Sequence, residues 1–140
     1  LWLDFMGIVY YYVHIMTNEP KTPESPFGAT LRELREARQA GDRAFSLRQL
    51  AQRVGVEPSY LSKVERGETP PPSEAKILLL ARELGEDPDL LLALAGKVSS
   101  DLQAVIRRRP ALFAALIREL KDLPDQAVLR LVREVRDGDW

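Results

Sequence analysis

The stretch Ser46–Gly67 reads SLRQLAQRVGVEPSYLSKVERG and decides the fold of this chain. In its first half, a serine that can cap a helix precedes apolar residues at helical spacing, namely Leu47, Leu50, Ala51 and Val54. The second half opens at Pro58, which suits the first position of a helix, and its apolar residues Leu61 and Val64 share one face. Two short helices are therefore predicted.

A turn that contains Gly55 joins these two predicted helices, and Gly67 follows the second. Glycine adopts a positive φ without strain, so both positions suit the end of a helix. Ala51 is small, as is required where two helices cross closely and at a steep angle. Together these features predict a helix-turn-helix.

A further helix is predicted before this stretch. Thr30 and Glu33 have the spacing of a capping box, and apolar residues at helical spacing follow them. We therefore expect a helix that begins at Thr30 and ends near Gly41.

Two more helices are predicted after the stretch, beyond three consecutive prolines that cannot lie inside a helix. Ser73 caps the first, which ends at Gly85, and Asp87 starts a leucine-rich second that closes at Gly96. Because no alternating strand pattern occurs here, residues 27–96 are predicted to form a compact all-α domain of five helices.

Residues 97–140 carry about three further helical patterns, which begin at Ser99 or Ser100, at Pro110 and at Pro124. Their apolar faces hold more aliphatic surface than three short helices can hide alone. We favour a segment for dimerisation and regulation. The alternative is that these helices pack back on the five-helix domain.

Residues 1–26 form a doubtful or flexible leader. Its first part, LWLDFMGIVYYYVHIM, is mostly apolar and aromatic but shorter than the roughly 20 residues of a membrane span. It also lacks the basic start and cleavage site of a secretory signal. We expect translation to begin at Met16, or as second choice at Met6, and residues 17–26 to be a flexible lead-in. The alternative is a genuine strand or helix that packs on the domain or on a partner.

The charge of the chain is nearly balanced, at −1 over 140 residues, so no global basic field indicates nucleic acid. Residues 30–67 hold eight basic and five acidic residues, a local excess that many solvated helices also reach. The chain has no cysteine, which fits a cytoplasmic protein without requiring one.

With Leu34-Arg35 before them, the segments SLRQLAQRVGVEPSYLSKVERGETPPPS and LGEDPDLLLALAG resemble the Cro/CI-type helix-turn-helix domain. This family is also called Xre or lambda-repressor-like, and the resemblance covers residues 27–96. It implies a DNA-binding domain whose third helix enters the major groove of double-stranded DNA. It also implies a cytoplasmic transcriptional regulator of bacterial or phage type, usually a repressor and usually a dimer.

In this family the exposed residues of the recognition helix, here Pro58–Arg66, contact base edges. The resemblance assigns that role to Ser59 and Lys63, with Ser62 as a possible helper. Lysine can donate to the O6 and N7 acceptors of guanine, so Lys63 is the stronger candidate for discrimination between bases. Pro58 lies beside them but cannot donate a hydrogen bond.

Phosphate contacts are expected from Tyr60, Ser46 and Arg48, together with the free N–H groups at the start of the second helix. For Arg66 and Ser62, a DNA contact and an ordinary solvated helix face are equally good interpretations. A solvated face is also the alternative for Ser59 and Lys63.

Glu65 is not expected to contact DNA, because a carboxylate repels phosphate. The family resemblance assigns it a buried structural ion pair with Arg35. Between Arg35 and Ser46 the chain is about five residues longer than the family's usual link, and surface loops absorb such insertions at little cost. The insertion could give Arg43 a phosphate contact.

No catalytic, metal or cofactor site is predicted. The single histidine is His14, in the leader, and the chain has no zinc-binding histidine pair and no glycine-rich phosphate loop. The serious alternative to a DNA-binding regulator is a protein-binding role. The chain would then be an antitoxin, or an adaptor controlled by an anti-repressor or a peptidase.

Overall fold

The computed structural model describes residues 26–140, without the side chain of Pro26, so the predicted start at Met16 and the leader lie outside the described residues. All regular structure in this part of the chain is helical, which confirms the all-α class. The α-helices are α1 (Pro26–Gln39), α2 (Leu47–Val54), α3 (Pro58–Glu65), α4 (Glu74–Leu84), α5 (Pro88–Leu94), α6 (Ser100–Arg108), α7 (Pro110–Leu120) and α8 (Asp125–Asp137). A short 3-10 helix, Arg43–Phe45, precedes α2.

The chain divides into two compact units, with the boundary between Lys97 and Val98. The described part of the first unit contains α1 to α5 around one apolar core. The fully or almost fully buried apolar side chains are Phe27, Leu31, Leu50, Ala51, Val54, Leu61, Val64, Ile77, Leu80, Ala81, Leu84, Leu91 and Leu92. Each large one contributes about 1.5–3 kcal/mol relative to full exposure, so this core provides most of the driving force for the fold.

The predicted start of α1 at Thr30 is wrong. The helix begins at Pro26, and Thr30 lies inside it with 5% of its surface exposed. Phe27 and Leu31 are one helical turn apart, and both are completely buried. Burying Phe27 contributes about 1.5–3 kcal/mol, which exceeds the roughly 1 kcal/mol that a threonine cap would give. The tertiary contact therefore decides where the helix begins.

Four other predicted helix starts are confirmed by their caps. The hydroxyl of Ser46 accepts a hydrogen bond from the Gln49 N–H at 3.3 Å, and α4, α5 and α6 begin in the same way. The capping residues of those three helices are Ser73, Asp87 and Ser99. Local sequence signals thus suffice for these four helix starts.

Helix α1 approaches the end of α3 at Gly28. A β-carbon on Gly28 would collide with the carbonyl oxygen of Val64 and would lie 3.0 Å from that of Glu65. Both obstacles are backbone atoms, which cannot rotate away. The hydrogen side chain of Gly28 therefore lets α1 hold α3 in position from behind.

The second unit consists of α6, α7 and α8, and none of its residues is buried. Its large apolar side chains that stay exposed are Val98, Leu102, Val105, Leu112, Leu116, Ile117, Leu123, Leu131, Val132, Val135 and Trp140. The exposure of these side chains agrees with the expectation that three short helices cannot bury all of their aliphatic surface alone. No described helix is long and apolar enough to cross a lipid bilayer.

Candidate nucleic-acid interface

The turn between α2 and α3 is held by backbone and side-chain hydrogen bonds. Gly55 adopts a φ of 72°, and the Val56 N–H donates to the carbonyl oxygen of Ala51 at 3.0 Å. The ammonium group of Lys76, on α4, donates to the carbonyl oxygens of Val54 and Gly55 at 3.0 and 3.3 Å. The carbonyl oxygens of Ala51, Gln52 and Val54 at the end of α2 are therefore satisfied, and these bonds hold the turn in place.

One face of α3 is in the core and the other is open to solvent. Leu61 and Val64 are buried, whereas Ser59 and Lys63 are exposed. These two polar residues are four positions apart, so their side chains lie on the same face one turn apart. Neither side chain forms a hydrogen bond or an ion pair with another described residue, and both are free to meet a ligand.

The other predicted contact residues differ in exposure. Arg48 is exposed, while Pro58 and Tyr60 are half-buried, and Tyr60 packs against the core. The hydroxyl oxygen of Ser46 accepts the capping bond of α2, which leaves its proton for another acceptor. Tyr60 thus combines a core contact with a phenol that can reach the surface.

Arg66 is engaged at the end of α3 rather than extended into solvent. Its Nε and Nη2 donate to the two carboxylate oxygens of Glu68 at 2.8 and 3.1 Å, and its Nη1 donates to the hydroxyl oxygen of Ser62. These bonds, and the positive charge of Lys63, hold the pKa of Glu68 below its ordinary value. The helical pattern marks Arg66 and Ser62 as separate candidates and reveals neither the hydrogen bond between them nor the ion pair of Arg66 with Glu68.

Arg35 and Glu65 meet in the interior of the first unit. Arg35 Nε donates to Glu65 Oε1 at 2.6 Å, and Nη2 donates to Oε2 at 3.1 Å. The other donors of Arg35 bind the side-chain oxygen of Gln39 at 2.9 Å and the carbonyl oxygen of Phe45 at 3.3 Å. Glu65, the last residue of α3, is therefore fixed to α1 and directed away from the open face of α3.

The inserted segment before α2 is held by Phe45, a residue that no sequence motif marks. Its ring lies between two guanidinium groups, those of Arg38 at 5.6 Å and Arg53 at 5.2 Å from the ring centre. Asp42 caps the 3-10 helix by accepting from the Ala44 N–H. No local motif announces this arrangement, because the two arginines come from different helices.

Most of the positive charge of residues 30–67 is used within the domain. Five of the eight basic residues take part in ion pairs or ring contacts, namely Arg32, Arg35, Arg38, Arg53 and Arg66. By contrast, the side chains of Arg43, Arg48 and Lys63 form no hydrogen bond or ion pair with another described residue. These three cations are the ones that remain available to an anionic ligand.

An open polar groove lies beside the start of α2. It is lined by Gln39, Arg43, Ala44, Ser46 and Gln49. The insertion therefore brings Arg43 next to the N-terminal end of α2, where the helix dipole favours negative charge. In the described residues, no group of three or more histidine, aspartate or glutamate side chains could hold a metal ion.

Comparison with known proteins agrees with this geometry. Residues 26–94 match the family described as helix-turn-helix domain. The "Uncharacterized HTH-type transcriptional regulator RghRB" of Bacillus subtilis (strain 168) is 38% identical over 76 residues, which are 54% of this chain and 51% of that protein. The chain thus spans about half the length of this relative. No solved structure matches the chain significantly. Residues 26–94 therefore form a helix-turn-helix domain.

Proposed function

We propose that this protein is a transcriptional regulator of the Cro/CI (Xre) type that binds a specific sequence of double-stranded DNA. It represses transcription, and it binds a palindromic operator as a dimer in the cytoplasm. Its recognition helix is α3 with the following residue Arg66. Support comes from the helix-turn-helix match and from the relative that is named an HTH-type transcriptional regulator.

The single observation that carries this proposal is the open face of α3. Ser59 and Lys63 are exposed and unpaired on a helix whose opposite face is held in the core. A helix with one anchored face and one free polar face fits the major groove of B-DNA, which admits an α-helix. We assign direct base contact to Lys63 and Ser59, and Lys63 is the stronger candidate. Its ammonium group can donate to O6 and N7 of guanine and so distinguish guanine from other bases.

Phosphate contacts flank this face in the proposed complex. We assign them to Arg48, Ser46 and Tyr60, with Arg43 of the insertion as an addition. Arg48 and Arg43 are the free cations beside the start of α2, and the N–H groups there also favour an anion. Such contacts fix the orientation of the protein on the duplex but do not carry sequence information.

Residues 97–140 form the dimerisation segment in this proposal. One recognition helix gives little affinity, and paired half-sites about 34 Å apart are the usual remedy. The apolar side chains of α6, α7 and α8 are not buried within the second unit, with Leu112 at 70% exposure. A second copy of the chain would remove this surface from water, which is the main driving force for association.

Selection of bound sites from a pool of random duplexes tests the proposed function. We expect an enriched palindrome whose half-sites lie about one helical turn apart, since a symmetric dimer presents two copies of α3. A pool with no enriched sequence would overturn sequence-specific binding. An enriched single half-site would overturn the dimer and leave the DNA-reading helix in place.

Sedimentation of a shortened chain that ends at Lys97 tests the dimerisation segment. This end keeps the hydrogen bond from the Lys97 ammonium group to the Pro72 carbonyl oxygen, at 2.8 Å. We expect the full chain to sediment as a dimer and the shortened chain as a monomer with unchanged helical structure in its circular dichroism. A shortened chain that dimerises equally well would contradict the assignment.

The exposed apolar surface of the second unit also supports a second candidate function. The chain would be an antitoxin or an adaptor whose C-terminal helices bind a toxin, an anti-repressor or a peptidase. Trp140, with 94% of its surface exposed, and Leu112 would then contact that partner. Co-purification of a stoichiometric partner from the native host, together with loss of the self-associated form, would favour this candidate over the dimer.

A further inference from the structure

The end of α3 carries a charge network that consists of Arg66, Glu68 and Ser62. The guanidinium of Arg66 contacts both carboxylate oxygens of Glu68, with Nε–Oε1 at 2.8 Å and Nη2–Oε2 at 3.1 Å. The third nitrogen of the guanidinium, Nη1, donates to the hydroxyl of Ser62, one turn earlier on α3. All three guanidinium nitrogens are thus engaged inside the protein, within reach of the face that we assign to DNA.

The backbone holds Glu68 where it can make this network. Gly67 adopts a φ of 72°, which turns the chain back at the end of α3. The N–H of Glu68 then donates to the carbonyl oxygen of Lys63 at 2.9 Å, and that of Gly67 donates to Val64 at 3.1 Å. These bonds close the helix end, so the position of the Glu68 carboxylate is set by the backbone and not only by the arginine.

The network is strong enough to form but weak enough to open. The side chains of Arg66 and Glu68 are 47% and 53% exposed, and exposed ion pairs of this kind contribute little to stability because solvent screens them. A DNA phosphate that approached α3 could therefore compete for the guanidinium. Glu68 would weaken such a phosphate contact, because its carboxylate both binds Arg66 and repels the phosphate.

We propose that Glu68 is an internal competitor for DNA phosphate, which withholds Arg66 from the duplex and so lowers sequence-independent binding. This inference rests on the proposed function. Glu68 is a positioning residue that acts through Arg66 and does not itself contact DNA. Since a phosphate contact strengthens binding to every duplex by a similar factor, withholding it lowers the affinity for operator and random DNA alike and leaves their ratio nearly unchanged.

A first experiment tests the network without DNA. In the full chain, the pKa of the Glu68 carboxyl is followed by NMR titration in the wild type and in Arg66→Ala. We expect this pKa to lie below the ordinary glutamate value in the wild type and to rise in Arg66→Ala. An unchanged pKa would show that Arg66 does not hold Glu68, and it would overturn the proposal.

A second experiment tests the effect on DNA, with a duplex selected from the random pool and a random-sequence duplex of equal length. We expect Glu68→Gln to bind both duplexes roughly three- to tenfold more tightly, and to steepen the plot of log K against log salt by about 0.9, as one additional phosphate contact does. In an Arg66→Ala background, we expect Glu68→Gln to give no gain. A gain of the same size in that background would overturn the proposal, because it would not depend on Arg66.

Asp137→Asn is the matched control for charge. Asp137 also accepts from a neighbouring arginine, Arg136, at 2.9 Å, but it lies outside the helix-turn-helix domain. We expect no change in salt dependence, and an effect equal to that of Glu68→Gln would overturn the proposal as a mere effect of net charge. If the wild type binds no duplex at low salt, the proposed function fails, whereas the titration still decides whether Arg66 holds Glu68.

Discussion

Arg35 and Glu65 lie thirty positions apart in the chain and form a buried, two-pronged ion pair with side chains 7% and 5% exposed. The pair joins the middle of α1 to the last residue of α3. The oxygens of Gln39 and Phe45 accept from the remaining donors of Arg35, so the buried charge is well satisfied. The same arginine therefore connects α1, the inserted segment and the proposed recognition helix.

Removal of one partner of this pair should destabilise the fold strongly. In Arg35→Met the carboxylate of Glu65 stays buried without its counter-charge, which costs on the order of 3–5 kcal/mol. The measurement is the free energy of unfolding from urea titrations followed by circular dichroism. The double variant Arg35→Met/Glu65→Leu should regain much of the loss, because no charge is then left buried.

Arg32→Met is the control for this prediction. Arg32 pairs with Glu36 at a similar distance, 2.8 Å, but the two side chains are 56% and 49% exposed. Arg32→Met should change the free energy of unfolding much less than Arg35→Met, because solvent screens the exposed pair. Equal losses in the variants of Arg35 and Arg32 would show that burial does not determine the strength of these pairs here.

Gly28→Ala should also destabilise the domain, although alanine is normally the better helix former. The added methyl group would collide with the carbonyl oxygen of Val64, and relief requires α1 and α3 to move apart. We expect a loss of about 1–3 kcal/mol in the free energy of unfolding, as for other overpacked sites. Thermal unfolding of the wild type and of Gly28→Ala measures this loss.

Gly41→Ala is the matched control, since no atom lies within 4 Å of the position of its β-carbon and its φ is not positive. This change should be neutral or slightly stabilising, because it only restricts the unfolded chain. A Gly28→Ala protein as stable as Gly41→Ala would mean that α1 and α3 are not in close contact.

The sequence predicts the parts of this fold that depend on local chemistry. The starts of α2, α4, α5 and α6 follow from Ser46, Ser73, Asp87 and Ser99, whose side chains bind N–H groups two or three residues later. The start of α1 could not be predicted in this way. It depends on the burial of Phe27 against residues far along the chain.

The same distinction applies to the candidate site. The exposure of Ser59 and Lys63 follows from the helical period, because Leu61 and Val64 occupy the opposite face. The capture of Arg66 by Glu68 could not be predicted from that period. It requires the chain to turn back after α3, and whether two exposed side chains then pair depends on their rotamers.

Phe45→Leu should loosen the inserted segment. The change keeps an apolar side chain but removes the ring that Arg38 and Arg53 flank, and each cation–π contact contributes about 0.5–1 kcal/mol. We expect faster amide hydrogen exchange at Ala44 and Ser46. Phe113→Leu, at a half-buried position of α7, is the control and should leave these two amides unchanged.

Glu86 should make the stability of the domain depend on pH. Partial burial raises the pKa of Glu86, Asp87 raises it further, and Arg38 partly opposes this change. A raised pKa means that the folded state favours the protonated acid. The contribution of Glu86 is therefore present below the ordinary glutamate pKa and is lost as the pH rises through the raised value.

Glu86→Gln should accordingly raise the melting temperature at about pH 7 and leave it nearly unchanged at about pH 3, where the glutamate is also neutral. Thermal unfolding at the two pH values measures the difference. The same gain at both pH values would contradict the assignment, because it would not arise from ionisation.

Lys63→Ala should separate base readout from general attraction to DNA. If Lys63 contacts a base edge, its loss should cost about 1–3 kcal/mol on the selected duplex and relax the preference at one base pair. Binding to a random duplex should fall much less. Fluorescence anisotropy titrations with both duplexes measure the two affinities.

Arg48→Ala is the counterpart on the phosphate side, because Arg48 is exposed next to the cap of α2 and has no partner among the described residues. It should weaken binding to both duplexes by a similar factor and reduce the salt slope by about one, without a change in sequence preference. If Lys63→Ala shows this same pattern, Lys63 contacts phosphate and not a base. Base readout on α3 would then rest on Ser59, and specificity would depend more on the spacing of half-sites and on the shape of the DNA.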